Sequence, residues 1–134
     1  MTKQIYVNLP IKDLAQTVEF FTKLGFTFNP QFTSENETCM IIGDNIFAML
    51  IVEKRFTDFT KKPIADATKT TEVILAIDAQ SREAVDEMLE KALAAGGTEY
   101  REPQDHGWMF GRSFSDLDGH QWEVFYMDSS KMPS

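Results

Sequence analysis

The chain has 134 residues and a mass of 15.3 kDa, one ordinary domain or two small units sharing a core, enough to bury roughly two thirds of its unfolded surface. With 43% apolar and 25% charged residues it is not a disordered chain. The formal net charge of -8, with no basic stretch longer than Lys61-Lys62, excludes nucleic acid and anionic membrane surfaces as partners.

Along the chain, Ile5, Val7, Leu9 and Ile11 alternate with Tyr6, Asn8 and Pro10, the pattern of a strand with one buried and one more polar face. Asp13 followed by Gln16 reads as a helix N-cap; Leu14, Val18, Phe21 and Leu24 recur at helical spacing, and Gly25 ends the helix. A short strand over 26–32 is interrupted by Pro30. Two strands, 38–42 and 46–52, flank the tight turn Gly43-Asp44-Asn45. Residues 53–70 have no sustained period and read as a connector, with Phe56 and Phe59 either sealing it to the body or serving as part of a ligand lid. A strand over 71–77 precedes a helix over 82–95, capped by Ser81, carrying Val85, Met88, Leu89, Ala92 and Leu93 on one stripe and stopped by Gly96-Gly97. A short strand at 99–100, a loop over 103–107 and two strands, 109–114 and 120–126, complete the pattern, the last two joined by Asp116-Leu117-Asp118-Gly119.

Cys39 is the sole cysteine, which excludes an intrachain disulfide and a thiolate metal cluster and leaves a small strand residue. The longest apolar run, 46–52, is too short for a bilayer, and the N-terminus lacks a signal-peptide pattern, so no membrane partner and a cytoplasmic location are expected. The acidity suits either a cationic ligand or simple solubility.

The order strand, helix, short strands occurs twice. Val7, Leu9 and Ile11 line up with Val73, Leu75 and Ile77, which lays Tyr6 on Glu72; at the hairpins Asp44-Asn45 lines up with Asp118-Gly119, which sets Met49 opposite Glu123. The fold class this predicts is α+β: paired βαβββ modules forming a curved mixed sheet around a cleft, helices outside. The modules are read as 1–60 and 71–128, with a linker over 61–70 and a polar tail over 129–134. Strand parity sends Tyr6, Asn8, Glu72 and Ile74 toward the cleft and Val7, Leu9, Val73 and Leu75 beneath the helices.

The stretches Leu9-Pro10-Ile11-Lys12-Asp13-Leu14, 18–26 (VEFFTKLGF) and 114–123 (FSDLDGHQWE) resemble the vicinal oxygen chelate superfamily of glyoxalase I, bleomycin-resistance proteins and extradiol dioxygenases. The resemblance implies a divalent metal (Mg, Mn, Fe, Ni or Zn) in the cleft of those members that are enzymes. Its usual ligand positions fall on Tyr6, near Met49, on Glu72 and on Glu123. Of these only Glu72 and Glu123 are carboxylates and stand as metal candidates; a phenol and a thioether are poor ligands for hard cations. The resemblance also implies a homodimer, sometimes with modules exchanged.

Two functions from different classes follow. One is a glyoxalase-like lyase or isomerase, or a dioxygenase, acting on a small oxygenated molecule with an atypical or absent metal site: Glu123 and Glu72 anchor or replace the metal, and Tyr6 or His106 handles protons. The other is a non-catalytic binder of a planar or aromatic small molecule, resembling the bleomycin-resistance proteins, with Trp108, Phe110 and Trp122 stacking on the ligand and Asn8 and Met49 lining its site. Arg112, at period two with Phe110 and Phe114, is either the counter-charge to Glu123 across the hairpin or a grip on a substrate carboxylate. Glu72 is either a cleft carboxylate or a solvated strand end, and His106 either a proton carrier or a surface loop residue.

Overall fold

The computed structural model describes residues 1–133. The chain divides into two compact units, the boundary falling between Ala65 and Asp66. Among the described residues, hydrogen bonding groups eight strands into two four-stranded mixed sheets, one in each unit.

In the first unit β1 (Ile5–Ile11) pairs in parallel with β4 (Ile46–Val52), which pairs antiparallel with β3 (Glu37–Gly43), and β3 with β2 (Thr27–Asn29), giving the order β1-β4-β3-β2. A parallel pair needs a crossover, and α1 (Leu14–Lys23) opens it. Asp13 caps α1 by accepting the Gln16 amide at 3.0 Å, and Gly25, at φ +104°, supplies the left-handed turn that follows the helix. The face that α1 buries carries Thr17, Phe20 and Phe21, a stripe rotated slightly from the one expected through Leu14 and Val18. Beside them the buried residues Leu9, Ile11, Met40, Ala48 and Leu50 form the core of the unit. Pro30 ends β2 in a short 3-10 turn, whose start Asn29 caps through the Gln31 amide.

The second unit repeats this plan. β5 (Ile74–Asp78) pairs in parallel with β8 (Gln121–Met127), β8 antiparallel with β7 (Met109–Ser115), and β7 with β6 (Thr98–Asp105), giving β5-β8-β7-β6. Helix α3 (Arg82–Ala94), capped by the Ser81 hydroxyl at the Ala84 amide, buries Val85, Leu89 and Ala92 and packs against β6, β7 and β8. Trp122, Val124 and Phe114 complete that core.

Three expectations are revised. β5 begins at Ile74, so Glu72 and Val73 precede the ladder. β6 runs eight residues to Asp105, where a short strand and a loop were expected; register shifts on either side of Arg101 let an edge strand carry Pro103, which has no amide to give. The connector contains one helical turn, α2 (Glu53–Phe56), directly after β4.

Candidate functional site

Strand parity and register fix what each sheet presents on the face away from its helix. In the first unit Tyr6 lies beside Phe47, Asn8 beside Met49, and Pro10 beside Ile51; across β4, Ile41, Cys39 and Glu37 complete the same three rungs. The Tyr6 and Phe47 rings stack with centroids 4.6 Å apart and planes 16° from parallel, and Tyr6 stays 41% exposed. The phenol donates to Gln4 Oε1 at 3.4 Å, and the Asn8 amide group folds back onto the Tyr6 carbonyl at 3.2 Å. Met49 is half-buried in the next rung, opposite the buried Cys39, whose thiol pKa is pushed up by burial. At the far rung Glu37 receives the Nε–H of Arg55 at 3.1 Å. Tyr6, Asn8 and Met49 are therefore brought together, and Phe47, which sequence reasoning did not single out, is the ring that joins them.

In the second unit the half-buried Glu123 stands away from α3, between Ala76 of β5 and the buried Ser113 of β7. No ion pair or side-chain hydrogen bond engages it among the described residues. Glu72 lies exposed in the bend before β5 and is not on the rung with Glu123; that place belongs to Ala76.

Trp122, Phe110 and Arg112 lie on the opposite side of this sheet from Glu123, contrary to the expectation that they line one site with it. Consecutive strand residues point to opposite faces, so Trp122 and Glu123 cannot share one. Trp122 is 1% exposed, packs parallel to Phe114 with centroids 6.3 Å apart, and donates its indole N–H to Asp116 Oδ2 at 3.0 Å. Phe110 lies under the Arg82 guanidinium of α3, 4.6 Å from the ring centroid. Arg112, whose side chain is 12% exposed, is no counter-charge to Glu123: its partner across the hairpin is Val124. It grips Glu99 with Nε and Nη2, both at 3.0 Å, and reaches Asp86 at 2.9 Å and Glu90 at 3.2 Å with Nη1. This set, Glu99 above all, holds the guanidinium pKa above its ordinary value.

His106 and Trp108 belong to the tight β6–β7 connection, with ring centroids 6.3 Å apart. The His106 amide donates to the Met109 carbonyl, and the Gly107 amide to Asp105 Oδ1 at 3.0 Å. The Gly107 amide and then Arg82 hold the Asp105 carboxyl below the usual range. Met109 pairs with Met127 and Ser113 with Glu123, so this connection stands about 13 Å along the strand from Glu123, at ~3.3 Å per residue. Neither ring joins that carboxylate.

A family model described as the Glyoxalase/Bleomycin resistance protein/Dioxygenase superfamily matches residues 3–124. The chain belongs to this superfamily. Its fold is similar to that of a hypothetical protein from S. aureus, at 28% identity over 94% of each chain with a TM-score of 0.80. It is also similar to a glyoxalase/bleomycin resistance protein/dioxygenase from Nocardioides, at 25% identity over 100% of this chain and 88% of that one, TM-score 0.73. A glyoxalase-related enzyme from Fulvimarina pelagi shares the fold at 19% identity over 93% of this chain and 88% of that one, TM-score 0.79. No curated protein matches the chain.

The metal that the superfamily's enzymes carry does not fit this donor set. Among the described residues no three His, Cys, Asp or Glu side chains gather as a cation site needs. On the strands, the positions level with Glu123 and Met49 are Ala76 and Asn8.

The superfamily's Asp-Leu-Asp-Gly-His segment has a structural use in this chain. Asp116, buried, accepts the amides of Asp118 and His120 at 3.0 Å on Oδ1, and the Trp122 indole on Oδ2. Burial nevertheless raises its carboxyl pKa above the ordinary value, outweighing the nearby His120 and the Trp122 and Asp118 donors. Gly119, at φ +89°, lies so close to the connector that a Cβ there would come within 2.7 Å of the Ala67 carbonyl oxygen.

Proposed function

We propose that this chain is a small-molecule binding protein of the superfamily, taking a planar, aromatic ligand on the first sheet's face away from α1. The observation that carries this reading is the stacked pair Tyr6–Phe47, with Met49 and Asn8 in the adjoining rung. A stacked pair of rings offers an aromatic surface already held in place, at low entropic cost, a thioether adapts to the ligand's outline, and an amide supplies direction. The excess of acidic residues favours a ligand of positive charge. By resemblance to the superfamily, two copies of the chain associate; a cytoplasmic location is carried over from the sequence expectation, not from the resemblance.

The test uses acridine orange as a planar cationic probe and naphthalene-2-sulfonate as a planar anionic one, with 13C-methyl-labelled methionine. Ring currents from a bound probe shift the Met49 methyl signal; the cationic probe shifts it at lower concentration, and Tyr6→Ala weakens that binding about threefold to tenfold, as loss of one aromatic partner implies. No saturable Met49 shift with either probe defeats the reading.

A glyoxalase-like lyase or isomerase, or a dioxygenase, is the second reading. It is favoured by Glu123, a half-buried carboxylate without a side-chain partner among the described residues and therefore available as a general base. Turnover of a hemithioacetal or a catechol, abolished by Glu123→Gln in a variant that still folds, would establish it in place of the first.

A further inference from the structure

We propose that the segment from Glu53 to Phe59 is a hinged strap over the end of the first sheet's ligand face, and that the Arg55–Glu37 ion pair is its latch. This inference deepens the binding reading above and rests on it for its purpose, although the motion itself does not.

Glu37, Cys39 and Ile41 alternate along β3 on the same face as Ile51, Met49 and Phe47 of β4. Arg55 holds Glu37 at 3.1 Å, so the strap is fastened at the Ile51 rung, one rung from Met49 and Cys39. α2 packs against β4 and β1. Ile51 and Cys39 are each 1% exposed, although Asn8 and Tyr6 further along β1 are open to solvent.

The strap itself has weak fastenings. No residue of α2 is buried, and its first turn has no side-chain cap. Arg55 also reaches Asp58 at 3.0 Å and lies over the Phe59 ring, 4.6 Å from the centroid, but Phe59 remains 57% exposed. Glu53 and Phe56 are half-buried, and Arg55 is the strap residue whose side chain hydrogen-bonds to the sheet. A segment without a fully buried residue opens at a fraction of the cost of global unfolding, and a part-exposed ion pair adds little to that cost. Opening uncovers the Ile51 rung and the Cys39 end of the Asn8–Met49–Cys39 rung, and so lengthens the platform that begins at Tyr6.

Cys39 is the only thiol in the chain and reports the opening directly. The experiment measures the rate at which the ligand-free protein reacts with 5,5′-dithiobis(2-nitrobenzoate) in the absence of denaturant, alongside the urea unfolding midpoint. Arg55→Gln and Glu37→Gln should each raise the rate about two- to fivefold, the effect expected of one part-exposed pair, without a matching loss of global stability. The exchanged pair, Glu37→Arg with Arg55→Glu, should restore slow labelling. Equal rates in wild type and both single variants overturn the proposal, as does a rate that simply follows global stability, or an exchanged pair that labels as fast as the single variants. The measurement contains no ligand, so a failed Met49 titration leaves its outcome readable, and the reverse also holds.

Discussion

The indole N–H of Trp122 donates to Oδ2 of Asp116, six residues earlier, at 3.0 Å, while Oδ1 of the same carboxylate holds the amides of Asp118 and His120. One buried side chain thus closes the β7–β8 turn and fixes the largest ring of the second core. Three donors converge on it, and a neutral amide cannot accept from all three. Asp116→Asn sets an N–H2 against one of them, most damagingly the indole, and should cost about 1–3 kcal/mol of stability by urea unfolding, with a changed Trp fluorescence spectrum.

The raised carboxyl pKa of Asp116 has a pH signature. Between the ordinary Asp value and the raised one, the folded state keeps a proton that the unfolded state has released. This group's contribution to stability is therefore fully present below the ordinary value and declines as pH rises through the raised one. A 13C titration of the side-chain carboxyls should show one Asp signal moving above the usual range, absent in Asp116→Asn. An Asp116 signal that titrates below the ordinary value contradicts the expectation.

Arg112 binds three carboxylates from two elements, Glu99 on β6 and Asp86 and Glu90 on α3. Arg112→Ala leaves those acids facing one another and should destabilise the protein by about 2–3 kcal/mol. Arg112→Lys retains the charge but loses the planar fork, and should recover roughly half of that. Chemical denaturation of the two variants checks both the size and the order.

Gly119 and Gly107 both have positive φ, +89° and +81°, but their surroundings differ. An added methyl at Gly107 meets nothing within 4 Å, so Gly107→Ala carries only the backbone penalty, about 1 kcal/mol. At Gly119 the methyl strikes the backbone of Ala67 and Thr68, so Gly119→Ala should cost clearly more, about 2–4 kcal/mol. Equal unfolding midpoints for the two variants would show that residues 67–68 do not rest on the turn.

Divalent ions should leave thermal stability almost untouched. A site with a Kd a hundredfold below the free ion concentration adds about 2.7 kcal/mol, a shift of many degrees. Equimolar Mg, Mn, Fe(II), Ni or Zn should raise the melting temperature by less than about 1 °C, as expected where no cluster of three ligand side chains is present among the described residues. A saturable rise lost in Glu123→Gln would restore Glu123 as a metal ligand.

Much of the fold was legible because its signals are local. Asp13 and Ser81 announce helix starts, Gly25 and Gly96 helix ends, and the alternation in Ile5–Ile11 separates the core face from the Tyr6 face before any partner strand is known. The superfamily resemblance was carried by those same punctuations and by the Asp116–Glu123 segment. The site was less legible because it depends on register. Whether Glu123 meets Arg112 or Ser113 turns on a single residue of hairpin length, and one step reverses every side chain. Pairing Trp122 with Glu123 ignored an alternation already visible in the sequence. Glu72 was lost to a strand starting three residues later than expected, and Glu99 was missed as the partner of Arg112 because β6 was read as too short. Asp116 did leave a signal: a carboxylate two residues before another Asp and three before Gly is the pattern of a side chain accepting backbone amides within its own turn.

The grip of Arg112 gathers three negative groups around one positive one, leaving that corner of the second unit with surplus negative charge in a chain already at -8. Added electrolyte therefore has two opposing actions on it: it weakens each attraction to the guanidinium, and it relieves the repulsion among Asp86, Glu90 and Glu99. The outer acids, Asp86 and Glu90, feel the ionic atmosphere most, while the two-pronged contact to Glu99 is shielded from it. This junction of helix and sheet is thus built to hold in both dilute and salty surroundings, where a lone surface ion pair would only loosen as salt is added.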